Sequence, residues 1–368
     1  MKKRVAVLGA TGSIGRNTLD VLRNEKDRFE PVLFSAHKNI NALLELKKEF
    51  PAAIIAQGDE LPDAIAAAGA DITVNGIAGA AGLEPSAAAI KAGSDLALAN
   101  KETLVIAGGL ILDMARENKV NIIPVDSEHS AVFKLIGAHG KENVSEIILT
   151  ASGGPFRNYS MEDMARVTPK DALAHPTWSM GAKITVDSAS LANKGLEVIE
   201  AANLFGFPLG KIRVVIHPQS IVHSMVRLKD GAVYAQMSKP DMRLPIFEAL
   251  TWPETASSSC VSYGELFFDS LSLSFEKCDT EKFPMLALAY KALDGGPHLS
   301  IAYNAANEAA VEAFFSLEIS FLEIKSVVSY VIEEFSSRSE KLSSIPGILA
   351  VDMEARKMAR DFIGSKRC

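Results

Sequence analysis

Residues 4–15 read RVAVLGATGSIG, and this stretch decides the fold of the first part of the chain. The apolar run from Arg4 to Leu8 has strand character, and the apolar residues of 18–22 recur at helical spacing. A glycine turn between a strand and a helix can hold a pyrophosphate, because backbone N–H groups and the helix N-terminus attract the anion. The glycine spacing is GxxGxxG. We therefore predict dinucleotide binding, with a tight turn that holds no ligand as the alternative.

The end of the second predicted strand indicates which dinucleotide is bound. NAD-binding folds usually place an acidic residue there for the ribose hydroxyls, whereas this chain reads Ser35-Ala36-His37-Lys38-Asn39. The ammonium group of Lys38 would attract a 2′-phosphate, so the sequence favours NADP(H). A solvated loop lysine is the alternative.

Strands alternate with helical stretches over about the first 125 residues, which predicts a doubly wound parallel sheet of α/β class. After Asp126 the strands are separated by polar loops, which is typical of an α+β catalytic domain, and from Pro284 the apolar spacing is helical. The predicted organisation is an NADPH-binding Rossmann-like domain at 1–126, a central α+β catalytic domain at 127–250, a connector at 251–280 and a C-terminal α-helical bundle at 281–368.

Composition excludes several classes of protein. The 368 residues carry a net charge of −7, from 38 basic and 45 acidic side chains, so nonspecific binding to nucleic acid or to an anionic membrane is not expected. The longest uninterrupted apolar run, 104–112, is about half of the roughly 20 residues that a membrane span needs. Cys260, Cys278 and Cys368 form no CxxC motif, which argues against a disulfide framework or zinc cluster and favours the cytoplasm.

Two carboxylates follow the last strand of the predicted parallel sheet, at 122–125. In an extended chain Asp126 and Glu128 would point to the same side, at the sheet edge where ligands bind in open α/β folds. Oxygen ligands without thiolates suit Mg²⁺ or Mn²⁺. Glu197, in another polar cluster, is a candidate third ligand. A solvated acidic turn is nearly as well supported by the spacing alone.

Further polar groups could bind a phosphate monoester. Ser152 ends another strand, while Ser188, Asn193 and Lys194 add hydroxyl, amide and ammonium donors. A helix cap or turn is the usual role of each serine alone. The stretch HPTWSMG at 175–181 has the composition of a lid that excludes water, with a buried anchor as the alternative. His217 and His223 could act as general acids, but a role as core histidines is the simpler interpretation.

These motifs together resemble the 1-deoxy-D-xylulose 5-phosphate reductoisomerase family of the non-mevalonate isoprenoid pathway. The resemblance covers most of the first 250 residues in family order and extends to NAANEA at 304–309. The motifs are GATGSIG at 9–15, LANKETLV at 98–105, PVDSEHSA at 124–131, SGGPFR at 152–157, HPTWSMGAKITVDSASLANKGLE at 175–197, HPQSIVHSMV at 217–226 and KPDMRLPI at 239–246.

The resemblance implies roles for individual residues. Implied metal ligands are Asp126, Glu128 and Glu197, which with Lys101 form the implied catalytic set. Implied substrate contacts are Lys101, Ser127, Glu128, Ser152, His175, Ser188, Asn193, Lys194 and Glu197, with the two serines 152 and 188, Asn193 and Lys194 around the phosphate. Implied cofactor contacts are Thr11, Gly12, Ser13, Ile14, His37, Lys38, Asn39, Asn100, Glu102 and Gly181, and Trp178 and Met180 belong to a flap.

The resemblance also implies the reaction. A divalent metal (Mg²⁺ or Mn²⁺, with Co²⁺ as a further candidate) would stabilise the charge that develops while the substrate rearranges, and NADPH would reduce the resulting aldehyde to 2-C-methyl-D-erythritol 4-phosphate. A homodimer and a small phosphorylated substrate are expected, without nucleic acid or membrane partners. His37 and Ala151 stand where glycine is common in the family.

Two other classes of protein were weighed against this one. Another NADP-dependent dehydrogenase, such as a semialdehyde dehydrogenase, would need a catalytic cysteine in mid-chain, and the first cysteine is Cys260. A catalytically inactive nucleotide-sensing homologue would not require Asp126, Glu128, Glu197 and Lys194.

Overall fold

The computed structural model describes residues 1–178, 180–258, 262–339 and 342–365. Its first part alternates strands and helices, as predicted. The strands are β1 (Lys3–Leu8), β2 (Phe29–Ser35), β3 (Ile54–Ala56), β4 (Ile72–Asn75), β5 (Asp95–Leu98) and β6 (Ile122–Pro124). The helices between them are α1 (Ser13–Asn24), α2 (Ile40–Glu49), α3 (Leu61–Ala68), α4 (Leu83–Lys91) and α5 (Lys101–Asn118).

These strands form one parallel sheet in the order β3-β2-β1-β4-β5-β6. The central strand β1 is buried from Val5 to Leu8 because helices cover both faces of the sheet, so its side chains are apolar on both sides. The strand order reverses between β1 and β4, and the carboxyl ends of these two strands form the crevice where such sheets bind ligands. The predicted α/β fold class is confirmed.

The second part of the chain builds a mixed sheet that lies against helices. Its elements are α6 (Ser127–His139), β7 (Val144–Ala151), α7 (Met161–Met164), α8 (Pro169–Ala172), α9 (Ala182–Ser190), α10 (Ala192–Phe205), β8 (Ile212–Ile216), β9 (Val222–Leu228), β10 (Val233–Met237), α11 (Arg243–Thr251) and β11 (Glu276–Lys277). The strand order is β10-β9-β7-β8-β11, with only β7 and β8 parallel among these pairs. Helix α11 packs on α1 of the first part.

Helices make up the rest: α12 (Pro284–Asp294), α13 (Pro297–Phe315), α14 (Glu323–Phe335) and α15 (Ile345–Ser365). Helix α13 is buried along most of its length because it packs against α5, α12, α14 and α15. The predicted helical C-terminal region is therefore confirmed. Every helix in the described parts of the chain is too short or too polar to cross a membrane.

Two details differ from expectation. The stretch after β6 does not stay extended: Asp126 is the residue before α6, and Glu128 lies in the first turn of that helix. The connector contributes β11, which pairs with β8. Of the three cysteines, Cys278 is buried, whereas Cys260 and Cys368 lie outside the described residues. The domain boundaries drawn from the sequence stay predictions.

Candidate active site

The glycine-rich turn forms at the end of β1 as the sequence predicts. Gly9 has a positive φ of 76°, which a side chain rarely tolerates, and the Gly9 N–H donates to Ser35 Oγ at 3.2 Å. A Cβ on Gly15 would lie 2.4 Å from the Gly9 carbonyl oxygen, so glycine is required where α1 meets the turn. Helix α1 begins directly after Gly12. The N-terminus of α1 thus stands open at the carboxyl edge of the sheet, as a phosphate site requires.

The other predicted cofactor residues lie in two places. His37, Lys38 and Asn39 are exposed beyond the end of β2, where the Asn39 side chain caps α2 by accepting from the Ala42 N–H. Asn100 and Glu102 are instead buried at the start of α5. Asn100 caps α5 and donates to the carbonyls of Ile77 and Gly79, so it supports the loop after β4 rather than facing open space.

A single pocket brings together most of the predicted residues. It is lined by Ser13, Ile14, Lys101, Asp126, Ser127, Glu128, Ser152, His175, Trp178, Met180, Gly181, Ser188, Asn193, Lys194 and Glu197, together with residues including Ser220, His223 and Met242. Thr11, Gly12, His37, Lys38, Asn39, Asn100 and Glu102 are outside this lining. The pocket therefore extends from the glycine turn to the carboxylates of Asp126, Glu128 and Glu197.

Three carboxylates converge at the floor of the pocket. One oxygen each from Asp126, Glu128 and Glu197 lies within 4.8 Å of the others. They come from separate places: Asp126 precedes α6, Glu128 is in its first turn, and Glu197 lies on α10. Convergent carboxylate oxygens without thiolates are the donors that Mg²⁺ and Mn²⁺ prefer, so these residues fit a divalent metal.

Two lysines neutralise these carboxylates. Lys101 Nζ lies 2.8 Å from Asp126 Oδ2 and 3.2 Å from Glu197 Oε1, and Lys194 Nζ lies 2.7 Å from Glu128 Oε1 and also contacts Glu197. Burial and the nearby Glu128 raise the pKa of Glu197 to about 7, although both lysines oppose this. Burial would also raise the pKa of Asp126, but Lys101 and His129 hold it well below its usual value. When all three carboxylates are ionised they exceed the two ammonium groups by one negative charge, which favours a cation.

His129 and Glu200, which were not predicted from the sequence, lie next to the carboxylates and support them. His129 is fully buried, with Nδ1 3.0 Å from Glu200 Oε2 and Nε2 2.9 Å from the Glu197 carbonyl oxygen. Burial would lower the pKa of His129, but Glu200 and Asp126 raise it well above the usual value. A helical assignment of 127–139 and 192–205 would have found both, because each lies three residues after a predicted ligand.

The opposite side of the pocket is built around His175. Its Nε2 lies 3.1 Å from both Ser152 Oγ and Ser188 Oγ, and its Nδ1 accepts from the Thr177 and Trp178 N–H groups at 3.2 and 2.9 Å. Because Nδ1 is an acceptor, the proton of the neutral ring lies on Nε2 and faces the serines. Burial lowers the pKa of His175, which favours this neutral form. The two predicted phosphate-binding serines and the N–H donor of His175 thus lie together in one part of the pocket, which we call the serine corner.

Not all predicted phosphate contacts gather there. Asn193 donates to Glu197 Oε1 and accepts from Lys101 Nζ at 2.7 Å, while Lys194 points to Glu128 and Glu197. Both therefore contact the carboxylate side of the pocket rather than Ser152 or Ser188. His217 has the core role favoured from sequence: it accepts from the Ile221 and Val222 N–H groups. His223 also faces the pocket, with its ring 6.1 Å from that of Trp178.

A dinucleotide turn and a carboxylate metal site within one pocket define an NADP-dependent oxidoreductase that also uses a divalent metal. Three family models match the chain: 1-deoxy-D-xylulose 5-phosphate reductoisomerase at 5–63 and 55–108, its C-terminal domain at 122–205, and the DXP reductoisomerase C-terminal domain at 237–358. The chain belongs to the 1-deoxy-D-xylulose 5-phosphate reductoisomerase family.

Similar proteins cover the whole chain. The reductoisomerase of Chlorobium phaeobacteroides (strain BS1) is 46% identical over 381 residues, covering 97% of this chain and 99% of the relative. That of Treponema denticola is 46% identical over 371 residues, covering 97% and 96%. A crystal structure of DOX-P reductoisomerase with NADPH, fosmidomycin and magnesium superposes with a TM-score of 0.92 at 37% identity, and the Zymomonas mobilis enzyme with NADPH at 0.89 and 40%; each covers 99% of both chains. A semialdehyde dehydrogenase and an inactive sensor are not supported.

Proposed function

We propose that this chain converts 1-deoxy-D-xylulose 5-phosphate into 2-C-methyl-D-erythritol 4-phosphate, a step of the non-mevalonate isoprenoid pathway. The observation that carries the proposal is the convergence of Asp126, Glu128 and Glu197 in the pocket that Ser13 and Ile14 also line. One solved relative, a DOX-P reductoisomerase, holds NADPH, magnesium and fosmidomycin in one complex. Mg²⁺ or Mn²⁺ would act as a Lewis acid in the rearrangement, and NADPH would supply the hydride that reduces the aldehyde.

The side chains of this chain have complementary tasks. Asp126, Glu128 and Glu197 would hold the metal, and Lys101, which contacts two of them, would face the substrate oxygens beside it. Ser152, Ser188 and the Nε2–H of His175 would donate to the substrate phosphate, with Asn193 and Lys194 completing that side. Ser127 begins α6 beside Glu128 and would contact the substrate there. Binding at both ends fixes the reacting carbons between them.

The cofactor would extend from the exposed end of β2 to the pocket. Lys38, flanked by His37 and Asn39, would attract the 2′-phosphate, and Thr11, Gly12 and Ser13 would hold the pyrophosphate at the N-terminus of α1. Ile14 and Gly181 both line the pocket and would contact the cofactor there. Asn100 and Glu102 would support the cofactor through the loop after β4. Trp178 and Met180 would form the flap that excludes water from the bound substrate.

The enzyme would act as a homodimer in the cytoplasm. Apolar side chains are exposed on the edge strand β10 (Val233, Tyr234 and Met237) and in the segment before β11 (Phe267, Phe268 and Phe275). Such patches on a folded surface are typical of interfaces. Sedimentation of the wild-type protein at twice the chain mass of 39.4 kDa would support a dimer. A sedimenting mass of one chain at assay concentration would refute it.

The test of the proposed reaction follows its product. Purified protein is incubated with 1-deoxy-D-xylulose 5-phosphate, NADPH and Mg²⁺, and the product is identified by NMR alongside the loss of NADPH absorbance. We expect one NADPH to be oxidised for each 2-C-methyl-D-erythritol 4-phosphate formed. Correctly folded protein that binds NADPH but gives no product with Mg²⁺ or with Mn²⁺ would refute the proposal.

A further inference from the structure

Lys183 is assigned to neither the metal, the substrate nor the cofactor, yet it contacts residues on two helices that contribute to the pocket. It is the second residue of α9, the helix that begins after Gly181 and carries Ser188. Its Nζ lies 2.8 Å from Glu102 Oε1 and 3.1 Å from Asp187 Oδ2. Glu102 follows Lys101 at the start of α5. The pair with Glu102 therefore links the helix of Ser188 to the helix of Lys101, whereas the pair with Asp187 lies within α9.

The link continues beyond both helices. The second carboxylate oxygen of Glu102 accepts from Asn100 Nδ2 at 3.0 Å, and the same amide donates to the Gly79 carbonyl in the loop after β4. On the other side, Asp187 Oδ1 accepts from Asn307 Nδ2 at 2.7 Å, which brings in α13. A continuous polar chain thus runs from the first sheet through α5 and α9 to the C-terminal helices.

Burial makes these contacts sensitive to distance. The side chains of Glu102 and Asp187 are 8% and 1% exposed, and Lys183 is the cation that lies between them. In a poorly solvated site, two carboxylates that lose their cation repel each other and move apart or recruit water. The separation of α5 and α9 at this point therefore depends on the ammonium group.

We propose that Lys183 is a positioning residue: its ion pair with Glu102, together with its pair with Asp187 inside α9, ties the start of α9 to the start of α5 and so fixes Ser188 and Gly181 relative to Lys101. The proposal rests on the proposed function, because it assigns Lys101 and Ser188 to opposite ends of one substrate. A displacement of about 1 Å between reacting groups is enough to lower a rate about 100-fold.

The test compares Lys183→Met with Lys183→Arg. We expect Lys183→Met to bind NADPH with full stoichiometry but to lower kcat about 30-fold, because only the orientation of the two helices changes. Lys183→Arg keeps a cation that can pair with both carboxylates and should recover kcat to within about fivefold of wild type. Counting NADPH sites separates misplacement from misfolding, because misfolded protein loses sites rather than turnover per site.

Arg338→Met is the control. Arg338 pairs with Glu354 at 2.5 Å, and its side chain is 27% exposed against 24% for Lys183. Arg338 follows α14 and Glu354 lies on α15, so the loss of this pair should lower the melting temperature slightly while kcat per NADPH site stays within about twofold of wild type. Equal losses of kcat in Lys183→Met and Arg338→Met would overturn the proposal, as would wild-type kcat in Lys183→Met.

Two further measurements keep the proposal testable if these variants fail. If Lys183→Met does not fold, the neutral pair Glu102→Gln/Lys183→Met replaces it, and wild-type kcat there would overturn the positioning role. If the wild type itself gives no turnover, the proposed function fails, but the positioning role is still measured by fluorescence. Of the two tryptophans, Trp252→Phe leaves only Trp178. We expect Lys183→Met to shift its emission in the NADPH complex, and an unchanged spectrum would count against the proposal.

Discussion

The glycine turn and the carboxylate cluster lie in the same pocket but are built in different ways. The turn is formed by one contiguous stretch, and its shape follows from backbone conformations that only glycine adopts easily, such as that of Gly9. The cluster is assembled from residues on or next to α5, α6 and α10. Two of its members that contact each other, Lys101 and Glu197, are 96 residues apart in sequence. Local sequence thus defines the cofactor side, whereas tertiary packing defines the side that would perform the chemistry.

Because the two regions are built separately, we expect a substitution in one region to leave the function of the other nearly unchanged. Glu197→Gln should lower kcat/KM at least about 1000-fold, because a neutral amide is a poorer metal ligand and leaves Lys101 and Lys194 with less negative charge to balance. NADPH affinity should stay within about twofold, since the glycine turn is untouched. Steady-state kinetics and a fluorescence titration with NADPH measure the two quantities.

Glu146→Gln is the control for this variant. Glu146 is a partly buried carboxylate that pairs with Arg213 and Arg227 on the second sheet, outside the pocket lining. It should leave kcat/KM within about twofold, because removing a partly exposed ion pair costs little. Near wild-type turnover by Glu197→Gln at low metal concentration would mean that Glu197 is not a ligand.

Gly15→Ala should damage the other region. Its Cβ would lie 2.4 Å from the Gly9 carbonyl oxygen, so the turn must move, which costs about 2 kcal/mol of stability and weakens NADPH binding about 100-fold. A thermal melt and an NADPH titration check both effects. Gly109→Ala on α5 is the control, because its Cβ meets no atom within 4 Å and alanine favours helix. Unchanged NADPH affinity in Gly15→Ala would show that the turn does not hold the cofactor.

Lys38→Ala tests the outer end of the cofactor side and should have a smaller effect. Losing one exposed phosphate contact should raise the KM for NADPH about tenfold and leave the KM for NADH unchanged. Lys48→Ala is the control, because this nearby lysine on α2 is 72% exposed and pairs with Glu45 instead. Parallel kinetics with both cofactors decide the matter. Equal effects on NADPH and NADH would remove the assignment of Lys38 to the 2′-phosphate.

The smallest predicted effect concerns the serine corner and pH. Burial holds the pKa of His175 below its usual 6.5, so the neutral ring contributes stability above pH 6.5, and that contribution is lost as the pH falls through the lowered value. Acidification should therefore change Trp178 fluorescence in a Trp252→Phe background, because protonated Nδ1 cannot accept from the Trp178 N–H. His175→Asn, which keeps an acceptor but does not titrate, should lack this change. The same titration in both proteins would exclude His175 as its origin.

The same contrast explains what could be predicted from sequence. The β1 turn was predicted correctly because strand, glycines and helix are adjacent. The extended path predicted through Asp126 and Glu128 is wrong, because α6 begins at Ser127; the Asp126 side chain does not cap that helix and pairs with Lys101 instead. The two carboxylates still converge because Glu128 lies in the first helical turn. Spacing and polar clustering offered Asp126, Glu128 and Glu197 as candidate ligands, and the family resemblance implied that all three belong to one metal site.

The residues that were missed are those whose partners are distant in sequence. Lys183 meets Glu102 across 81 residues, and His129 reaches the Glu197 carbonyl across 68. Both side chains lie within motifs of the family resemblance, at 124–131 and 175–197, but the resemblance implied no role for either one. A buried lysine or histidine cannot be distinguished from a surface one until the helix packing is known, and that packing is tertiary: α10 contacts α5, α6 and α9.

The most direct test of the division of labour between the two regions is a chelation experiment on the wild-type protein. Protein stripped with EDTA is assayed for NADPH binding and for substrate-dependent NADPH oxidation, and Mg²⁺ is then added back. We predict that NADPH still binds after chelation, that turnover is lost, and that Mg²⁺ restores it in wild type but not in Glu197→Gln. Turnover that persists in the stripped protein would contradict the account.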